Sequence, residues 1–139
     1  MIPNPLKTKG GLERLRQIKH KGLTLLLCDF SSCDREEGQK LLAALVAQLQ
    51  KEEDASVRLL LDVHETTHDA TMSNEWKRHL DLFNAKLKKS AIIGLGKLNQ
   101  IALAGIRTYA RLMGQEKAAY QIQVFDNRDI ALEYLSSDK

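Results

Sequence analysis

The sequence has 139 residues, with 21 Lys and Arg against 18 Asp and Glu, four His and 43% hydrophobic residues. That length makes one domain with a core large enough to fold without disulfides or structural metal. A net charge of +3 with both signs interspersed, and only 5% aromatic residues, argue against nucleic acid, which needs a dense basic surface and rings for bases to stack on. No apolar run approaches the roughly 20 residues of a bilayer span, and residues 1–11 lack the apolar stretch of a signal peptide. The expected setting is cytoplasmic.

Residues 1–11 hold both prolines and read as a flexible lead-in; the α/β domain is expected over 12–139. Arg14 to Lys19, followed by His20-Lys21-Gly22, reads as a strand turning into Leu23 to give one antiparallel edge, although Leu12, Leu15 and Ile18 also fit a short helix. Leu23 to Phe30, Val57 to His64, Ala91 to Gly96 and Ile122 to Asp126 are strand-length apolar runs. They are too continuous for a half-exposed antiparallel sheet, so they predict strands covered on both faces. Between them, Leu41, Leu42, Leu45, Val46 and Leu49 recur at helical spacing, as do Trp76, Leu80, Phe83 and Leu87. The same spacing links Leu98, Ile101, Gly105, Tyr109 and Leu112, and then Ile130, Ala131, Tyr134 and Leu135. Helix starts are expected after Ser31 and Ser32, at Ser73 before Glu75, and at Asp126 before Arg128 and Asp129. The order β-α-β-α-β-α-β-α with right-handed crossovers gives a mostly parallel sheet packed by helices.

Ligands of parallel α/β sheets settle outside the carboxyl ends of the strands. Those loops hold Asp29 with Ser31 to Cys33, Asp62 with His64 to Thr71, Gly94 with Gly96-Lys97, and Asp126-Asn127-Arg128. Strand-end carboxylates can bind a cation or accept a phosphoryl group; they also serve as ordinary caps and turn formers. Asp62-Val63-His64-Glu65-Thr66 superficially resembles the start of a haloacid-dehalogenase-type phosphatase, but His64 stands where that family places a second Asp. A response-regulator receiver would use Lys97 after a later strand, yet needs paired acids where Asp29 stands alone. His64, His68, Asp69 and His79 contain the elements of a metal site, but a loop does not fix their spacing and no third ligand is pinned. Gly94-Leu95-Gly96 lacks the third glycine of a dinucleotide site, and neither a P-loop nor a nucleophile elbow occurs. No metal or cofactor is therefore expected. Cys28, in an apolar run, is expected in the core; Cys33, near a helix start, is expected to be structural, with a lowered thiol pKa as the alternative.

Ile18-Lys19-His20-Lys21-Gly22, the strand ending Cys28-Asp29-Phe30-Ser31, Leu59-Leu60-Leu61-Asp62, Lys88 to Leu95, and Val124 to Arg128 followed by Ala131 to Leu135 resemble the small bacterial SpoIIAA-like, or STAS/SEC14-type, proteins. The resemblance spans about Ile18 to Leu135. It implies a single-layer α/β fold with a four- or five-stranded, mostly parallel sheet and about four helices. Relatives act as anti-sigma-factor antagonists or as regulatory domains of anion transporters, and the lipid-transfer branch cups hydrophobic ligands. In the antagonist branch, the loop after the second main strand carries Asp-Ser-Ser-Gly with a phosphorylated Ser. Asp69-Ala70-Thr71-Met72 lies in the corresponding stretch and puts Thr71 at the phosphoacceptor place, with Ala70 replacing Ser and no Gly following.

The leading expectation is a non-catalytic regulatory or binding module, with Asp62, Thr66, Thr67, Thr71, Lys97 and Arg128 contacting a protein partner or a small apolar or anionic ligand. Two alternatives stand beside it: a carrier of a small hydrophobic or lipid ligand, and a small phosphotransfer enzyme or receiver using a strand-end Asp. Ile101, Leu103, Ile106, Tyr109, Leu112 and Met113 circle much of one helix, more than one buried face needs. That surplus fits either a pocket wall or a homodimer face.

Overall fold

The computed structural model describes residues 13–66, 70–114 and 122–137. The expected lead-in, and Thr67, lie outside them. Five strands form one sheet in the order β1-β2-β3-β4-β5: β1 Leu15–His20, β2 Leu23–Asp29, β3 Val57–Asp62, β4 Leu87–Ile93 and β5 Ile122–Phe125. β1 and β2 are antiparallel and the remaining pairs are parallel, so the chain is α/β with a mostly parallel sheet. The hairpin turn consists of Lys21 at φ +50° and Gly22 at φ +79°. Two consecutive positive φ values are what a two-residue turn needs to follow the strand twist.

The continuous apolar runs become strands whose alternate residues enter different cores. Leu26, Cys28, Leu59, Leu61 and Ile92 face one layer, while Leu25, Leu27, Leu60, Ala91 and Ile93 face the other. The first layer is covered by α1 (Arg35–Gln50), α2 (Ala70–Arg78), α3 (Leu80–Lys86) and α4 (Lys97–Leu112). They contribute Leu41, Leu45, Leu49, Met72, Phe83 and Leu103 to that core. The Trp76 ring sits 5.7 Å from Phe30 and 5.2 Å from Phe83, measured between centroids. The second layer is covered by the last helix, α5 (Arg128–Ser136), through Ala131 and Leu135. Among the described residues five helices therefore stand where about four were expected, and they lie on both faces of the sheet.

The additional helix comes from dividing the stripe read through Trp76, Leu80, Phe83 and Leu87. His79 interrupts it with φ −111° and ψ 13°, and Leu87 opens β4. Ala70 to Ser73, read as loop, is the first turn of α2. The α1 cap is Asp34 rather than Ser31 or Ser32: its carboxylate accepts from Glu37 N at 2.8 Å, and Glu37 Oε1 accepts in return from Asp34 N. A serine in that stretch lacks a partner three residues on, whereas Asp34 and Glu37 close a capping box. Asn127, not Asp126, caps α5 by accepting from Ile130 N at 2.9 Å.

The carboxyl end of α5 is held by cations rising from the sheet. Arg58 Nη1 donates to Leu135 O and Ser137 O, and Lys89 Nζ donates to Tyr134 O, Ser137 O and Ser137 Oγ. Both side chains are buried. They meet helix-end carbonyls with positive charge, the favourable polarity at that terminus.

α4 buries Leu103, Ile106 and Ala110, packing mainly on α2 and Leu80. Ile101, Tyr109, Leu112 and Met113 are left exposed. No helix among the described residues is long and apolar enough to cross a membrane.

Candidate functional site

The parallel strands deliver their carboxyl ends to one edge. Register sets Asp29 beside Asp62 and Asp62 beside Ile93, so the loops after β2, β3 and β4 lie side by side. They are tied together. Phe30 N donates to Asp62 O at 2.8 Å, Ser32 N to His64 O at 2.8 Å, Val63 N to Ile93 O at 3.0 Å, and Thr66 Oγ1 to Phe30 O at 2.7 Å. Ser32 at φ +56° and Glu65 at φ +54° hold left-handed turns within this edge.

Arg14 anchors the edge from below. Its side chain is buried and its Nη1 donates to Asp29 O at 3.0 Å and Ser31 O at 2.9 Å, while Asp29 N donates to Arg14 O at 2.7 Å. Glu37 Oε2 lies 3.7 Å from its Nη2. This guanidinium fixes the backbone on both sides of Phe30. A buried charge of this kind keeps its place only with several acceptors.

Asp29 and Asp62, the carboxylates that end β2 and β3, each have an immediate partner. Asp29 Oδ1 accepts from Ser31 N at 2.9 Å and from Ser31 Oγ. Asp62 Oδ1 accepts from His64 N at 3.1 Å and from His64 Nδ1 at 2.6 Å. Because a carboxylate accepts, Nδ1 carries the ring proton, and Nε2 has no partner among the described residues. The ring is 58% exposed and lies directly against Gly94, where a Cβ would approach its Cγ and Nδ1 to 2.4 Å. Only glycine leaves room for the imidazole there, and its φ of +80° is likewise a glycine conformation. The result is an imidazole oriented by Asp62 with one nitrogen turned to solvent.

Of the residues singled out from the sequence, Asp62 and Thr66 stand in this hydrogen-bonded edge. Lys97 is the first residue of α4, following β4, and Arg128 is the exposed first residue of α5, following β5. Thr71 is exposed on the first turn of α2. Ser31, His64 and Gly94 lie in the strand-end loops read from the sequence without having been chosen as contacts, and Arg14 joins the site from outside those loops. Their signals are weak: a histidine two residues after an aspartate, and a glycine 30 positions away.

The thiols are structural. Cys28 and Cys33 are free and fully buried. Burial, with a smaller contribution from the Cys33 charge, pushes Cys28 up. Burial pushes the Cys33 thiol up to about 11 despite the nearby Arg14. Cys33 precedes the Asp34 cap, so the helix end does not activate it. Among the described residues, no group of three or more His, Cys, Asp or Glu is placed to hold a metal ion.

Comparison with protein-family models and with curated proteins returned no match to this sequence.

Proposed function

We propose that this chain is a non-catalytic binding module of the SpoIIAA-like, STAS type, which docks a protein partner on the edge formed by the loops after β2, β3 and β4. The reading rests on one observation: the loops after β2 and β3 are cross-linked by hydrogen bonds and Val63 of the second is bonded to the last residue of β4, with His64 and Glu65 exposed there and Thr71 exposed on the helix that follows. A surface already held in one geometry loses little conformational entropy on binding. The five-stranded, mostly parallel sheet is compatible with the general α/β class that the resemblance implies. Asp62 then acts through His64, orienting the imidazole for a hydrogen bond or ion pair to the partner. Lys97 and Arg128 open the helices that follow β4 and β5 and are the cationic residues of this reading, and Thr71 is the residue whose phosphorylation would alter docking by adding a charge of roughly −2.

The test is a turnover screen of the purified protein against phosphatase, esterase and nucleotidase substrates. The reading predicts background rates, unchanged in Asp62→Asn. Robust turnover lost in Asp62→Asn would replace it with the phosphotransfer reading.

A further inference from the structure

The outward face of α4 is unusual for a helix packed on a core. Leu103, Ile106 and Ala110 define its buried direction. At 3.6 residues per turn, Ile101, Gly105, Thr108 and Leu112 lie within about 40° of the opposite direction. All four are exposed, Ile101 by 70% and Leu112 by 80%. Met113, directly after the last helical residue, is 60% exposed as well. The two large side chains are about 16 Å apart along the axis at 1.5 Å per residue. A soluble helix facing water would carry polar residues at these positions.

Among the described residues, cations flank this ridge. Arg107 and Arg111, one turn apart, run along one flank. On the other flank Lys77 of α2 places its Nζ 5.3 Å from the centre of the Tyr109 ring. From Lys97 to Gly114 the sequence contains no Asp or Glu. Burial, with a smaller contribution from the Arg111 charge, pushes the Arg107 guanidinium below its usual range, so the two charges share one neighbourhood.

We propose that α4 is a membrane-surface element that lays its Ile101 and Leu112 ridge into an anionic bilayer, with Arg107, Arg111 and Lys77 contacting the lipid headgroups. The charge pattern selects this occupant. A second copy of the chain would bring like charges against like charges, whereas an anionic surface accommodates all three. The ridge is convex and apolar at its crest, with long cationic side chains on both slopes, the arrangement that lets cations reach headgroups while apolar atoms enter the acyl boundary. The inference is carried by the face of α4 and does not depend on the function proposed above.

The experiment is co-flotation of the full chain with vesicles of phosphatidylcholine alone and of phosphatidylcholine containing about a quarter phosphatidylglycerol. Binding is expected to the second and not the first, and to fall steeply between about 0.1 and 0.5 M salt. Arg111→Gln should weaken it about 5-fold, and Ile101→Glu at least about 10-fold. Because Ile101 is 70% exposed, the melting temperature of Ile101→Glu should match the parent, which separates lost binding from lost folding. Equal recovery with both vesicle types, or binding indifferent to Ile101→Glu, overturns the proposal. So does a stable dimer in solution that Ile101→Glu converts to monomer, which would assign the ridge to a second copy. Binding of a soluble acidic protein through this face, with no vesicle binding, overturns it equally.

Discussion

Replacing Gly94 with alanine probes the contact that holds the site histidine. An added Cβ would lie 2.4 Å from His64 Cγ and Nδ1 and 2.7 Å from Cδ2, and the backbone there has φ +80°. Placing an L residue in that left-handed conformation costs about 1 kcal/mol. The ring must also move, which breaks its 2.6 Å bond to Asp62. That bond is partly exposed, so its loss costs about 1 kcal/mol more. The expected destabilisation is about 2 kcal/mol, a fall in melting temperature of about 6 to 10 °C for a domain of this size. Thermal unfolding followed by circular dichroism gives the number. Nitrogen-15 spectra of the His64 ring should at the same time lose the signature of a proton fixed on Nδ1. Once the ring is removed by His64→Ala, the steric part vanishes, so Gly94→Ala should cost about 1 kcal/mol less in that background. Strict additivity of the two substitutions, with unchanged His64 ring signals in Gly94→Ala, would refute the contact.

Three further outcomes follow from buried and paired groups. With its thiol held near 11, Cys33 should react with a disulfide reagent at pH 8 only after denaturation, since about one molecule in a thousand carries the thiolate; fast labelling of the native protein contradicts the burial. Lys89→Met should cost about 1–3 kcal/mol in urea unfolding by taking the charged donor from Ser137 Oγ and from the Tyr134 and Ser137 carbonyls, which retain Ser137 N and Arg58 Nη1 respectively, and an unchanged midpoint would show that water replaces it. Hydrogen bonds from Lys21 and then His20 hold the Glu133 carboxyl below its ordinary value. A carboxyl depressed by folding contributes stability above its unfolded pKa and loses it as pH falls through the folded value. The parent should therefore lose stability relative to Glu133→Gln on the acid side of 4.5, and identical acid titrations of the two would contradict the pairing.

The central strands were legible because the apolar runs of β2, β3 and β4 are largely buried and cannot be mistaken for half-exposed strands; β5, expected to be covered likewise, lies at the sheet edge with Gln123 and Val124 exposed. Lys21-Gly22 marked the hairpin, since glycine accepts the positive φ the turn requires. Less legible was β4, whose first half reads Leu87-Lys88-Lys89. Lys89 looks like surface, yet it is buried because the carbonyl end of α5, nearly 50 residues later, supplies its acceptors. The start of α2 was hidden by polar residues that carry no apolar period until Met72 and Trp76. Within the site, Asp62 and Thr66 could be placed from strand ends alone. His64 and Gly94 meet only because β3 and β4 pair with Asp62 opposite Ile93, a register that no local pattern in either segment encodes. Arg14 was equally hidden, because its acceptors are the backbone oxygens of Asp29 and Ser31, and backbone oxygens leave no trace in sequence.

The central claim, that the strand-end edge receives a protein partner, is tested most directly by photo-cross-linking in cells. A photoreactive residue is placed in turn at Glu65 and Thr71 on this edge and at Glu53, which precedes β3 at the opposite edge; all three positions are exposed. The account predicts one discrete protein adduct, formed from positions 65 and 71 and absent from 53. An adduct formed only from position 53 would contradict it.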